Sequence, residues 1–183
     1  MNEKYQKFLE SDFVVFDIET SGLSPIKDEV LEIGAIKLKG KNEAGRFEAL
    51  IQPRRAISLE VEKIHGLNEI YLLVNGRQSA VVIKEFLDFV SDAIVVGHNI
   101  KEFDWLFIQD HVKRYALPES TNKIIDTLQL SRKLLSLPTY NLSSVASHFG
   151  LEHKNAHRAM ADVEVNTKVF LALMELMLNS QNT

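Results

Sequence analysis

The chain has 183 residues, 45% of them hydrophobic and 25% charged, a balance that excludes wholesale disorder and supports one buried core. It contains no cysteine, which removes disulfide frameworks, thiolate metal sites and cysteine nucleophiles together. With 21 basic and 25 acidic residues the net charge is −4, so a nucleic-acid partner must be held locally or through bound cations, not by a basic coat.

Met1–Asp12 is mixed charged and polar, with no apolar stretch of the signal-peptide kind. Phe13-Val-Val-Phe16 is a continuous apolar run and predicts a short strand covered on both faces. Val30–Leu38 and Arg46–Ile51 predict two more strands, joined through a turn region from Gly40 to Gly45. Gln52-Pro53-Arg54-Arg55 ends this meander, because proline cannot donate to a central ladder. Ser79–Asp92 predicts a helix carrying Val82, Phe86 and Phe89 at helical spacing, and Ile94-Val-Val-Gly97 another short buried strand. Glu102–Leu117 predicts a helix with Trp105, Ile108, Val112 and Tyr115 along one stripe, stopped by Pro118.

Ile124-Ile125 ahead of Asp126-Thr127 predicts a short strand running into a helix cap, and Asn141 can cap a helix ending at Gly150. The last helix takes Ala161, Val165, Val169, Ala172 and Leu176 as its core stripe, and Asn179–Thr183 is expected to fray. The order β-β-β-α-β-α-β-α-α, without linker or repeat, predicts one α/β domain over residues 1–183 with a mixed sheet. Val169–Leu178 is the most apolar late stretch; it is too short to span a bilayer and Glu175 interrupts it. No membrane partner is therefore expected, and a cytoplasmic address is the default.

Asp17 and Glu19 immediately follow the first predicted strand, and residues two apart in extended chain point to one side. Ligand sites of open α/β sheets lie beyond the carboxyl ends of strands, where this pair falls, although a turn acid is the alternative. His98, Asn99, Phe103 and Asp104 lead out of the next buried strand into a helix; Asn99 or His98 could instead cap it, and Asp104 could simply favour its dipole. His157 and Asp162 are five apart, about 140° more than one turn of a regular helix. They converge if His157 precedes the helix and Asp162 lies in it. Together, Asp17, Glu19, Asp104 and Asp162 are four hard oxygen ligands suited to magnesium or manganese. Two divalent cations would cancel four carboxylates and let the cleft receive a phosphodiester, with a histidine beside it to take a proton from water.

Asp17-Ile-Glu19-Thr20, Gly97-His98-Asn99-x-x-x-Phe103-Asp104 and Ala156-His157-Arg158-Ala-x-x-Asp162 resemble, in order, the three motifs of the DEDDh (DnaQ-like) 3′–5′ exonucleases. The nearest likeness is to the proofreading epsilon subunit of bacterial DNA polymerase III and its homologues. The resemblance implies a ribonuclease H-like fold with a five-stranded mixed sheet flanked by helices. It implies that Asp17, Glu19 and Asp162 ligate two Mg2+ or Mn2+ ions, that Asp104 completes the site, and that His157 is the general base. Thr20, Glu60, His65, Asn99 and Phe103 would meet the terminal nucleotide, His65 within Ile64-His65-Gly66-Leu67. A helix-end cap is the alternative for His65, and a core role for Phe103. Asp126 fits as a helix cap or an outer contact of the site.

The stretch Leu72–Ser79 lacks the Gly-x-Pro turn common in the family after its H-G segment. The chain also ends soon after its last helix, without the polymerase-docking tail of the epsilon subunit. That favours a stand-alone enzyme, or one that reaches a polymerase through its domain surface. The function implied is release of 5′-mononucleotides from single-stranded or frayed 3′ ends of DNA. The alternatives are an exoribonuclease similar to ribonuclease T or oligoribonuclease, and a non-catalytic nucleic-acid-binding module, which loss of any catalytic residue would have favoured. Lys101, Arg132, Lys154 and Arg158 are candidates for backbone contacts.

Overall fold

A computed structural model describes residues 3–154 and 156–179. Five strands, β1 (Asp12–Thr20), β2 (Val30–Lys39), β3 (Asn42–Leu50), β4 (Ile94–Gly97) and β5 (Ile124–Asp126), form one sheet in the order β3-β2-β1-β4-β5. The β1–β2 and β2–β3 pairs are antiparallel, whereas β1–β4 and β4–β5 are parallel. Around the sheet lie α1 (Glu3–Glu10), α2 (Leu59–His65), α3 (Glu69–Asn75), α4 (Ser79–Val90), α5 (Asp104–Arg114), α6 (Thr127–Leu134), α7 (Leu142–His148) and α8 (Ala159–Asn179). This is the ribonuclease H-like arrangement that the resemblance implied.

The central strand explains the layering. Val14, Phe16 and Ile18 point to one face and pack with Val82, Ile83 and Phe86 of α4 and with Trp105 and Ile108 of α5. Phe16 is fully buried, its ring centroid 5.0 Å from Phe86 and 5.9 Å from Trp105. Phe13 and Val15 point the other way, against Val163, Phe170 and Met174 of α8 and Phe8 of α1. A strand covered on both faces has no polar side, hence its continuous apolar run.

Several expectations need correction. The first strand does not stop at Phe16: it runs to Thr20, with Asp17 opposite Gly34 and Glu19 opposite Glu32 on β2. Its parallel partner β4 pairs only as far as Val15, so the acids stand on the part of β1 that outruns β4. Helices α1, α2 and α3 add to the predicted order, and the cap expected after β5 opens a helix, α6, that the predicted order did not count. The single stripe assigned to the last helix is also wrong at its end, since Leu176 is exposed. Helix α8 buries two stripes instead: Val163, Phe170 and Met174 against the sheet, and Val165, Val169 and Leu173 against the layer containing Val145 and Ala146 of α7. A helix packed against two layers keeps only a narrow solvent edge, here Glu164, Lys168 and Glu175. Among the described residues α8 reaches Asn179, the first residue of the tail expected to fray; residues 180–183 lie outside the described residues. Among the described residues no helix is long and apolar enough to cross a membrane.

Candidate active site

The alternation that sends Phe13 and Val15 towards α8 continues through Asp17 and Glu19, so both carboxylates leave β1 on the α8 side. The first turns of α8 bring Asp162 to them: one carboxylate oxygen from each of Asp17, Glu19 and Asp162 lies within 4.8 Å of the others. Asp104, the first residue of α5, is buried and accepts from the Ile18 backbone N–H at 3.2 Å, which binds its carboxylate to β1 between the two acids. All four line a cleft of about 480 Å³.

The cleft is an unfavourable place for anions. Burial first, then the neighbouring carboxylates of Asp104, Asp162 and Glu19, raises the Asp17 carboxyl well above the usual range. Burial, with Asp162, Glu32 and Asp104, pushes Glu19 up to about 8, and Arg158 only partly opposes this. Asp104 is pushed up to about 7, again chiefly by burial, despite hydrogen bonds from backbone amides. Carboxyls raised by burial and by one another, beside the gathered oxygens of Asp17, Glu19 and Asp162, fit a hard divalent cation, which would restore the charge balance.

Helix α8 is seated by β2. Glu32, fully buried opposite Glu19, accepts from Arg158 Nη2 at 2.7 Å, Arg158 Nε at 3.2 Å and the Ala159 backbone N–H at 3.0 Å. Gly34, two residues on, faces the same turn, where a Cβ would come within 2.6 Å of Met160 N and 2.7 Å of the Ala159 carbonyl carbon. Only glycine lets the helix backbone approach the strand this closely. Neither Glu32 nor Gly34 carried a signal in the sequence beyond membership of an apolar strand.

His157 stands in the loop ahead of α8, as its spacing required. It lines the cleft, its side chain exposed and its φ at 66°, and its backbone N–H donates to Asp162 Oδ2 at 3.1 Å. The imidazole that touches Asp162 belongs to His153, which the sequence reading missed. Its Nε2 hydrogen-bonds Asp162 Oδ1, and its Nδ1 lies 2.7 Å from Ser143 Oγ.

Of the remaining candidates, Thr20, His65, Asn99 and Phe103 line the cleft. The Thr20 hydroxyl donates to the Gly22 carbonyl at 2.6 Å. Asn99 is exposed at the rim, and Phe103 is half-buried, its ring 5.1 Å from Phe107. His65 ends α2 and is buried, its Nδ1 accepting from the Leu67 N–H at 2.9 Å, while Gly66, with φ 70°, provides the helix cap. Its Nε2 is buried without a partner among the described residues. Glu60 is the exception: it is exposed and does not line the cleft. Helix α2 turns Val61, Ile64 and His65 towards the cleft, and Glu60 sits one step, about 100°, round from Val61.

His98 caps nothing. Its Nε2 lies 2.8 Å from the Tyr140 carbonyl and its Nδ1 3.1 Å from Thr127 Oγ1, and burial lowers its pKa. Asp126 is the cap: it accepts from Leu128 and Gln129 of α6 at 3.0 and 3.3 Å, and from Asn99 N at 3.1 Å, tying the rim loop to β5. Arg158 is committed to Glu32, and Lys154 pairs with Glu152 at 2.5 Å.

A five-stranded ribonuclease H-like sheet with converging carboxylates beyond the parallel edge of its central strand defines the class as a nuclease-type α/β enzyme. The family model for exonucleases matches residues 14–170, and the chain belongs to that exonuclease family. Its relatives are DnaQ-like. It is 39% identical over 170 residues to the PolC-type DNA polymerase III of Thermotoga maritima, covering 93% of this chain but 12% of that protein. It is 33% identical to the DNA polymerase III subunit epsilon of Aquifex aeolicus, covering 91% of this chain and 82% of the relative. Among solved structures, E. coli exonuclease I in complex with a dT13 oligonucleotide shares the fold with a TM-score of 0.84 at 20% identity, over 94% of this chain and 43% of that one. The zinc-bound E. coli exonuclease I–ssDNA complex gives a TM-score of 0.81 at 21% identity, over 94% and 41%.

Proposed function

We propose that the chain removes nucleotides one at a time from the 3′ ends of single-stranded or frayed DNA, releasing 5′-mononucleotides. Two divalent cations, Mg2+ or Mn2+, would be held by Asp17, Glu19, Asp104 and Asp162, with His157 as general base. The observation that carries this reading is the convergence of Asp17, Glu19 and Asp162 within 4.8 Å, with Asp104 bound to the same strand. When bound, the cations supply charge neutralisation for the phosphodiester and acidify water.

The chain's own residues do the rest. His157, at the cleft rim, accepts the proton of the attacking water as its oxygen bonds to phosphorus. The P–O3′ bond to the penultimate nucleotide then breaks, and the proton needed by the leaving oxygen comes from solvent. His65 has Nδ1 occupied as an acceptor, so Nε2 carries its hydrogen and offers an unused donor to an oxygen of the terminal nucleotide. Val61, Ile64 and Leu23 form an apolar wall on which the terminal base can pack. Thr20, Asn99 and Phe103 complete the rim. DNA is the polymer proposed because the relatives covering most of this chain are named for DNA polymerase III, and the similar exonuclease I holds dT13. Presence of all four acids and His157 opposes a non-catalytic binding module.

His157 provides the test. Single-turnover cleavage of a 3′-labelled oligonucleotide at saturating Mg2+ should slow by roughly 10²–10⁴ in His157→Ala, the usual worth of a positioned base. His157→Gln should be similarly slow, because an amide cannot take the proton. A near-wild-type rate in His157→Ala would assign the base to another group.

A further inference from the structure

Asp162 receives a hydrogen bond on each oxygen: Oδ1 from His153 Nε2 and Oδ2 from the His157 backbone N–H at 3.1 Å. A carboxylate can only accept, so His153 Nε2 carries the hydrogen, and Nδ1 lies 2.7 Å from the Ser143 hydroxyl. The result is a chain of contacts, Ser143–His153–Asp162, from the exposed start of α7 to the acid cluster. The His153 side chain is 8% exposed although its neighbours Glu152 and Lys154 are open to solvent. A polar ring withdrawn from water in an exposed loop, with both nitrogens engaged, indicates a geometric requirement, not a surface choice.

We propose that His153 is a positioning residue for the metal site: it fixes the rotamer of Asp162 so that this carboxylate meets those of Asp17 and Glu19 before any cation arrives. An ionised carboxylate has about four acceptor lobes, two per oxygen, so one bond on each leaves a lobe on each for a cation. Without His153, Oδ1 loses its partner and Asp162 is held only by the His157 amide. The side chain then samples other rotamers, and each binding event must include the ordering cost. Hydrogen-bond partners that orient metal ligands are typically worth 10–100-fold in metal affinity. This inference rests on the metal-site reading above and adds a residue that reading does not use.

The test is Mn2+ binding to the full chain without nucleic acid, by calorimetry and by loss of the free-ion spin-resonance signal. His153→Ala and His153→Leu should bind Mn2+ roughly 10–100-fold more weakly than wild type. His153→Gln, which keeps a donor near Nε2, should recover most of that loss, which a merely space-filling role would not produce. Ser143→Ala, on an exposed face, should weaken binding several-fold. In turnover, the His153 variants should need more metal but regain kcat at high Mn2+ with an unchanged KM for DNA. Wild-type Mn2+ affinity in whichever His153 replacement folds, or in Ser143→Ala if neither folds, overturns the inference. Asp162→Asn separates it from its foundation. If Asp162→Asn loses Mn2+ while His153→Ala keeps it, only the role of His153 fails; if Asp162→Asn binds as wild type, the metal site itself is wrong.

Discussion

At the scale of single residues, the acids carry a stability cost that a cation removes. Glu19 and Asp104 are pushed up to about 8 and about 7, and Asp17 is raised with them. A carboxyl whose folded pKa is raised holds its proton more tightly folded than unfolded. Its favourable contribution is complete below the ordinary value near ~4 and is lost as pH rises through the folded pKa. The cation-free protein should therefore lose stability between about pH 4 and pH 8. Calorimetry should show Tm falling over that window, Mn2+ restoring it at pH 8, and Asp17→Asn flattening the profile and raising the cation-free Tm at pH 8 by roughly 4–8 °C, about 2 kcal/mol. A Tm in Asp17→Asn well below wild type at every pH would make Asp17 a structural acid. The acids were legible because a D-x-E spacing forces one side in extended chain, whatever the exact strand end. His153 was not, because a lone histidine in an irregular loop has no period from which to place its ring.

At the scale of elements, the site depends on how tightly α8 sits on β2. Glu32 holds Arg158 and Ala159, and Gly34 admits the Ala159–Met160 backbone. Gly34→Ala should force the start of α8 away from the strand, destabilising by about 1–3 kcal/mol, the usual cost of overpacking. Cleavage should fall further than stability alone explains, because Asp162 moves with the helix; denaturant titration and rate measured on the same sample check this. Long elements were read well: α4 and β4 fall close to their predicted bounds because buried stripes and apolar runs mark them. The misses have physical causes. Helices α2 and α3 have seven residues each, too few to build a stripe, and are started by the caps Ser58 and Asn68. Amphipathic α1 has only eight residues in a charged stretch, and α8, buried on two sides, shows two overlapping stripes.

At the scale of the whole molecule, a chain of net charge −4 meets a polyanion through a small acidic cleft, so affinity should come from cations at that cleft and not from long-range steering. The chain spans 12% of the PolC-type relatives, so the same domain also occurs inside much longer polymerase chains. It also makes up most of a short relative, covering 82% of the Aquifex aeolicus epsilon subunit. Exposed Ile70, Leu73 and Val74 on α3 lie outside the cleft lining. Directional, metal-dependent hydrolysis is read by following 5′-labelled single-stranded DNA, beside RNA of the same sequence, with mass analysis of products. The expected result is a DNA ladder shortening one nucleotide at a time from the 3′ end, 5′-mononucleotides as product, and no cleavage in excess chelator or in Asp17→Asn. Internal cuts, shortening from the 5′ end, or cleavage that survives the chelator would contradict it.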